Sequence, residues 1–155
     1  MPHLLFVHTA GDPRPYVERL RGQGFRCSLI KKRPAELDRA CFDTVCDLDY
    51  QESVPAAIEG ARRIDRDARL DGVLSFSESG VIPASMIAAA LGLPGNNPRA
   101  ALYARNKYLM RCRLRDAGLA CPPFYLVEDA AQITAHLRRH GAPMVLKPIS
   151  GSSSY

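Results

Sequence analysis

Lys147 ends the apolar run Pro143-Met144-Val145-Leu146 and is followed by Pro148, Ile149, Ser150, Gly151, Ser152, Ser153, Ser154 and Tyr155. Small residues let a backbone approach a ligand closely, and their N–H groups converge readily on an anion. A lysine at the mouth of such a loop adds a point charge suited to phosphate. The same residues also read as a flexible Gly/Ser tail. Arg99, Arg105, Lys107, Arg111, Arg113 and Arg115 follow one another with no acid between them. Lys107, Arg111 and Arg115 are spaced by four, so a helix aligns them in one row. Such a row is either a solvated face or a line of cations turned toward an anionic ligand. Glu78 falls between a strand end and a helix start. It is a candidate for binding a ligand amine, or it complements the positive helix N-terminus. His136 and His140, at i and i+4, have no third ligand type nearby in sequence, so no metal site is expected.

These residues need elements to hold them. His3 to Thr9, with Leu4-Leu5-Phe6-Val7 at its centre, reads as a strand buried on both faces. Gly11-Asp12-Pro13 turns into a helix from Pro15 to about Arg21, which Gly22 and Gly24 end. Phe25 to Ile30 is a second strand, Lys31 to Pro34 a charged loop, and Asp43 to Leu48 a third strand. A helix over about 52–68 places Ala57, Ile58, Ala61 and Ile64 on one face. Val73 to Phe76 is a fourth strand, and Val81 to Leu91 a very apolar helix closed by Gly92. This alternation implies a parallel sheet with helices on both faces, whose ligands bind beyond the carboxyl ends of its strands. Those ends carry His8, Thr9, Ser77 and Glu78. The turn after the first strand lacks G-x-G-x-x-G, which disfavours an ordinary NAD or FAD site.

Leu93 to Pro98 is a boundary rich in Pro, Asn and Gly. Asn97 caps a helix through about Tyr103, and a second helix runs over 106–117, closed by Gly118. Pro122-Pro123 leads into an expected strand, Phe124 to Val127. Asp129 caps a helix through Arg139, and Pro143 to Lys147 is expected to be a further strand.

The chain has 155 residues, 46% hydrophobic and 24% charged, enough to bury a core without staples. The formal charge of +5 is concentrated in the 99–115 stretch, and no aromatic-plus-basic, zinc-finger or basic-zipper pattern supports a nucleic-acid partner. No apolar run is long enough for a transmembrane helix. Five cysteines form an odd set without C-x-x-C spacing or a preceding signal peptide, so reduced thiols in the cytoplasm are expected.

The order Gly92-Leu93-Pro94-Gly95, Asn97-Pro98, Asn106-Lys107-Tyr108-Leu109-Met110-Arg111, Ala117-Gly118, Pro122-Pro123 and Val145 to Ser154 resembles the ATP-grasp superfamily. The closest likeness is to its carboxylate–amine (amino-acid) ligases. The resemblance implies an α/β fold: a Rossmann-like pre-ATP-grasp domain over 1–95, then an incomplete α+β N-terminal lobe of an ATP-grasp domain over 96–155. Lys107 matches the family lysine that contacts the nucleotide phosphates. Lys147 matches the lysine that reaches the phosphates and the adenine side. Gly151, Ser152, Ser153 and Ser154 match the loop that folds over the β- and γ-phosphates. A lysine 4 Å from a phosphate oxygen contributes about 4 kcal/mol at an effective dielectric of 20, before desolvation.

By the same resemblance the cofactor is ATP, with Mg²⁺ in the complete enzyme, and the reaction is activation of a carboxylate as an acyl phosphate for attack by an amine. The family's returning strand, adenine hinge and magnesium-binding lobe have no counterpart in these residues. Phosphoryl transfer without the metal loses most of its charge stabilisation, so the 155-residue polypeptide alone is expected not to catalyse. Nucleotide, carboxylate and amine are the implied partners, and a homodimer is a candidate assembly. A non-catalytic Rossmann-like binding or oligomerisation module is the alternative.

Overall fold

The computed structural model of the protein describes residues 1–151. The chain divides into two compact units, Met1–Leu102 and Tyr103–Tyr155.

The first unit is built on a four-stranded, all-parallel sheet. Strand β1 (His3–Val7) is central, followed by α1 (Arg14–Gly22), β2 (Arg26–Lys31), α2 (Glu36–Cys41), β3 (Thr44–Asp47), α3 (Val54–Asp67), β4 (Gly72–Leu74) and α4 (Val81–Leu91). The sheet order is β3-β2-β1-β4. The chain therefore steps outward from β1 to β3, then crosses back to lay β4 on the opposite side of β1. Register fixes the centre: Phe6 lies opposite Leu29 on β2 and Leu74 on β4.

The two sheet faces bury different sets. Leu5, Val7 and Ile30 pack with Ala57, Ala61 and Ile64 of α3 and with Ala84, Ile87 and Ala88 of α4. Phe6, Cys27 and Leu29 pack with Val17 of α1 and with Cys41 and Phe42. The continuous apolar run of β1 follows from this two-sided cover, because alternate residues serve opposite cores. Helix α4 is apolar along its length because it packs against β4 and α3 together. Ser53 caps α3 by accepting from the Ala56 N–H at 3.3 Å, with Pro55 in the first turn.

Two details depart from the sequence reading. Strand β4 stops at Leu74 because the Ser75 hydroxyl accepts from the Ser77 N–H and donates to the Ser77 carbonyl, closing a turn. Helix α2 lies where no helix is expected. Asp38 anchors its start by accepting from the Ala35 N–H at 2.8 Å.

Helix α5 (Pro98–Arg105) starts in the first unit, with Asn97 Oδ1 accepting from the N–H groups of Arg99 and Ala100. The second unit contains α6 (Lys107–Asp116) and α7 (Ala130–His140). Asn106 caps α6 through the Leu109 N–H, and Asp129 caps α7 through the Gln132 N–H. The expected strands Phe124–Val127 and Pro143–Lys147 do not form among the described residues; neither segment is paired in a ladder. Their apolar content suits a strand, but a strand exists only with a hydrogen-bonded neighbour. Pro122, Pro123, Pro143 and Pro148 remove donors at their margins. Val145 and Leu146 are 79% and 68% exposed.

The expected consequence is a wide spread of amide exchange. Residues 124–127 and 144–147 exchange close to the unprotected rate, whereas β1 and β2 exchange only with global opening. Hydrogen exchange read by mass spectrometry checks this, and slow exchange in 144–147 would reveal a pairing partner.

Candidate functional site

In the second unit the fold brings Lys107 to the last described residues. The Lys107 N–H donates to the Ile149 carbonyl at 2.9 Å, and its ammonium donates to the Gly151 carbonyl at 3.3 Å. This N–H is one that a helix N-terminus leaves without an internal acceptor, so the bond costs α6 nothing. Lys147 stands two residues before Ile149 and is exposed. Lys147 and Gly151 therefore lie on one short piece of backbone that Lys107 anchors to the start of α6. Ser152, Ser153 and Ser154, the rest of the expected loop, lie outside the described residues.

The basic row on α6 is not all directed to one purpose. The Arg115 guanidinium sits over the Phe124 ring at 5.6 Å and also donates to Asp116. Tyr108 meets Phe124 edge-on at 5.7 Å. These contacts hold the 124–127 segment to the helix. His136 and His140 stack on Tyr125, with ring centroids 4.0 and 4.9 Å away. They act as an aromatic clasp for the same segment. Among the described residues no group of three or more His, Cys, Asp or Glu side chains is placed to hold a metal.

In the first unit, polar side chains gather at the carboxyl ends of the strands. Lys31, at the end of β2, donates to Asp38 at 2.7 Å and to the Thr9 hydroxyl at 3.0 Å, and Thr9 donates to Asp38 at 3.0 Å. The Asp38 side chain is only 3% exposed. Burial pushes its carboxyl upward, but the Lys31 ammonium, the Ala35 N–H and the Thr9 hydroxyl more than offset this, so the group titrates below the ordinary carboxylate range. On the other side of β1, the Tyr50 hydroxyl meets Ser79 at 3.1 Å, and Ser79 meets Ser77 at 2.9 Å.

His8 stands between these two sets. It has φ 63°, a left-handed conformation unusual for a residue with a side chain. Its N–H donates to the Ile30 carbonyl, and its ring lies 5.6 Å from that of Tyr50. Burial and the nearby Lys31 charge lower its pKa below the ordinary histidine value, with Asp38 opposing. Glu78 opens the short 3₁₀ turn Glu78–Gly80 and is exposed.

Sequence reasoning placed His8, Thr9 and Glu78 at these strand ends, but it missed Lys31, Asp38 and Tyr50. The signal for Asp38 was present: Leu37, Ala40 and Cys41 have helical spacing behind Pro34.

Comparison with known proteins bears on the fold. Residues 29–95 match the ATP-grasp N-terminal domain. The chain is 28% identical over 153 residues to the uncharacterized protein y4rH of Sinorhizobium fredii, covering 97% of this chain and 32% of that one. It is 27% identical over 84 residues to the L-arginine-specific L-amino acid ligase of Bacillus subtilis, covering 54% of this chain and 20% of the ligase. The fold superposes on the L-amino acid ligase from Bacillus licheniformis with a TM-score of 0.75 at 21% identity, over 97% of this chain and 38% of that one. The chain thus spans between a fifth and two fifths of the length of these proteins. No helix among the described residues is long and apolar enough to cross a membrane.

Proposed function

We propose that this chain, an ATP-grasp N-terminal domain over residues 29–95 with flanking structure on either side, supplies the N-terminal part of an ATP-dependent ligase that joins a carboxylate to an amine. In this reading residues 1–95 are the pre-ATP-grasp domain, and 96–155 begin the nucleotide lobe. Lys107, Lys147 and the loop from Gly151 through Ser154 hold the ATP phosphates. Glu78 is offered to a substrate. Magnesium and the transferring γ-phosphoryl group are managed by residues beyond those of this chain.

The observation that carries the reading is the attachment of the 147–151 segment to the first turn of α6 through Lys107. Two lysines and Gly151, the first residue of the loop, then share one locality. Two ammonium groups near a triphosphate act as point charges that tolerate its rotation. Among the described residues the Lys107 ammonium donates to one neutral carbonyl, that of Gly151, a contact that an incoming phosphate oxygen replaces with a stronger, charge-assisted one.

Titration calorimetry with ATP on the 155-residue chain tests this. Lys107→Ala and Lys147→Ala are each expected to weaken ATP roughly tenfold, about 1.4 kcal/mol, with unfolding midpoints unchanged because Lys147 is exposed and Lys107 is only half-buried. Equal heats for all three proteins would overturn the nucleotide assignment and leave the parallel-sheet domain as a binding module.

A further inference from the structure

We propose that the outer edge of β3 is a docking site for an extended segment of another protein that carries acidic side chains at every second position.

The edge follows from topology and register. Strand β3 is the last strand on its side of the sheet. On β2, the Arg26 N–H and the Ile30 carbonyl bond to the β1 side, so the main-chain groups of Cys27, Leu29 and Lys31 face β3. Lys31 lies opposite Asp47 and accepts from the Leu48 N–H at 3.2 Å. In a parallel ladder this puts the main-chain groups of Thr44 and Cys46 on the bonded side too, and turns those of Val45 and Asp47 outward. An open edge of this kind takes up an added strand through its main chain, while the side chains beside it select the sequence. The opposite edge differs. The chain's own 95–96 segment runs beside β4: Val73, Ser75, Gly95 and Asn96 help to line a cavity of about 230 Å³, and a Cβ added to Gly95 would lie 2.5 Å from that of Ala88.

The choice of partner comes from charge. Cys46, and with it Thr44, turns its side chain to the α3 face of the sheet, and Val45 turns to the other face. Two guanidinium groups flank the edge on the α3 face. Arg26 reaches across from β2 and donates to Thr44 Oγ1 at 3.3 Å, while its buried Nε has no acceptor among the described residues. Gly60 lets α3 come close to Cys46: a Cβ there would lie 3.5 Å from Cys46 Sγ. Arg63 follows one turn later. Burial pushes the Cys46 thiol up, and the nearby Arg63 charge opposes it. Arg63 is exposed and pairs with no carboxylate among the described residues.

The acids around this edge are engaged elsewhere. Asp43 holds Arg21 and the Cys27 N–H. Asp47 holds the Arg33 N–H and lies 3.8 Å from Arg39. Glu59 lies between Arg62 and Arg66. Asp67, one turn beyond Arg63, pairs with neither flanking arginine among the described residues. Carboxylates at alternate positions of an added strand would meet Arg26 and Arg63, and the residues between them would lie beside Val45. A second copy of this chain fits less well, because a two-fold axis on β3 sets one Arg63 against its twin.

The test is an NMR titration of the 155-residue chain with blocked hexapeptides in which valine alternates with glutamate or with lysine. The glutamate peptide is expected to shift the amides of Val45 and Asp47 and slow their hydrogen exchange, leaving the 72–74 amides of the opposite edge unchanged. Arg63 is exposed, so Arg63→Glu is expected to fold. It should weaken the glutamate peptide about fivefold, the upper range for an exposed ion pair, and strengthen the lysine peptide. The site is overturned by unmoved Val45 and Asp47 amides, by equal shifts from both peptides, by an unaltered glutamate affinity in Arg63→Glu, or by shifts confined to the basic 105–115 stretch. Protection of Val45 and Asp47 that grows with protein concentration in the absence of peptide assigns the edge to a second copy and overturns the acidic partner. Failure of ATP binding bears on none of these readings.

Discussion

Asp38→Ala is expected to lower folding stability by about 3 kcal/mol, the scale for breaking one partner of a buried ion pair. The carboxylate accepts from Lys31, from Thr9 and from the backbone N–H of Ala35. Its loss removes the anchor of α2 and leaves the Lys31 ammonium, whose side chain is 16% exposed, with the Thr9 hydroxyl as its one acceptor among the described residues. Urea unfolding at neutral pH measures the loss. Lys31→Met in the Asp38→Ala background is expected to restore part of it, because an apolar pair no longer contains a stranded charge. The pH dependence has a definite sign. Asp38 has a folded pKa below its unfolded value of about 3.9, so its contribution is complete above that value and is lost as pH falls through the folded one. The penalty of Asp38→Ala should therefore shrink in acid. Asp43 adds to the same acid sensitivity. Burial raises its pKa, but the Cys27 N–H and Arg21 bring it below the ordinary range. A penalty constant down to pH 2 would show that Asp38 acts through packing rather than charge.

Gly80→Ala is expected to cost about 2–3 kcal/mol, the range for overpacking a closed site. Gly80 has φ −89°, which any residue adopts, so the cost is steric. The new methyl would lie 2.2 Å from a carbonyl oxygen of the central strand. That backbone belongs to the buried central strand, and Gly80, itself buried, leads directly into α4. Gly92 supplies the contrast. Its φ is 67° with nothing within 4 Å of an added Cβ, so Gly92→Ala meets only the conformational cost of about 1–2 kcal/mol. Urea midpoints rank the two. Amide spectra add a second readout, because Gly80→Ala should shift the resonances of Val7, His8 and Ser75, whereas Gly92→Ala should not. Equal, small costs with unchanged spectra would mean that the 77–80 turn is not held against β1.

The parallel sheet was legible because its strands are buried on both faces and so read as unbroken apolar runs. Leu4 to Val7 and Val73-Leu74 carry that signal without any knowledge of their neighbours. Phe124 to Val127 and Met144 to Leu146 carry it equally well, yet neither segment is a strand among the described residues. Composition records what a segment would bury, whereas a ladder requires a second segment at 4.8 Å. Helix α2 was obscured by the charges of Lys31 to Arg33, which read as a loop ending at Pro34 and left the residues behind it unassigned. At the candidate site, Lys107 and Lys147 were singled out through motif order, which does not depend on the residues between the motifs. Tyr50 was not, because an aromatic residue after a short strand looks like any core residue. The left-handed backbone of His8 was beyond reach for a different reason: positive φ at a non-glycine position is imposed by tertiary contacts and leaves no mark in composition.

The prolines that bracket Met144 to Leu146 also bear on how this surface behaves in a crowded solution. An exposed apolar run with free amides is a template for cross-strand addition by another chain. Here Pro143 and Pro148 act as gatekeepers. They confine any intermolecular ladder to four residues, shorter than the six or seven that a steric zipper requires, and the ammonium of Lys147 would stack against its own copies in register. The surface is thus open to a short docking strand and closed to runaway polymerisation.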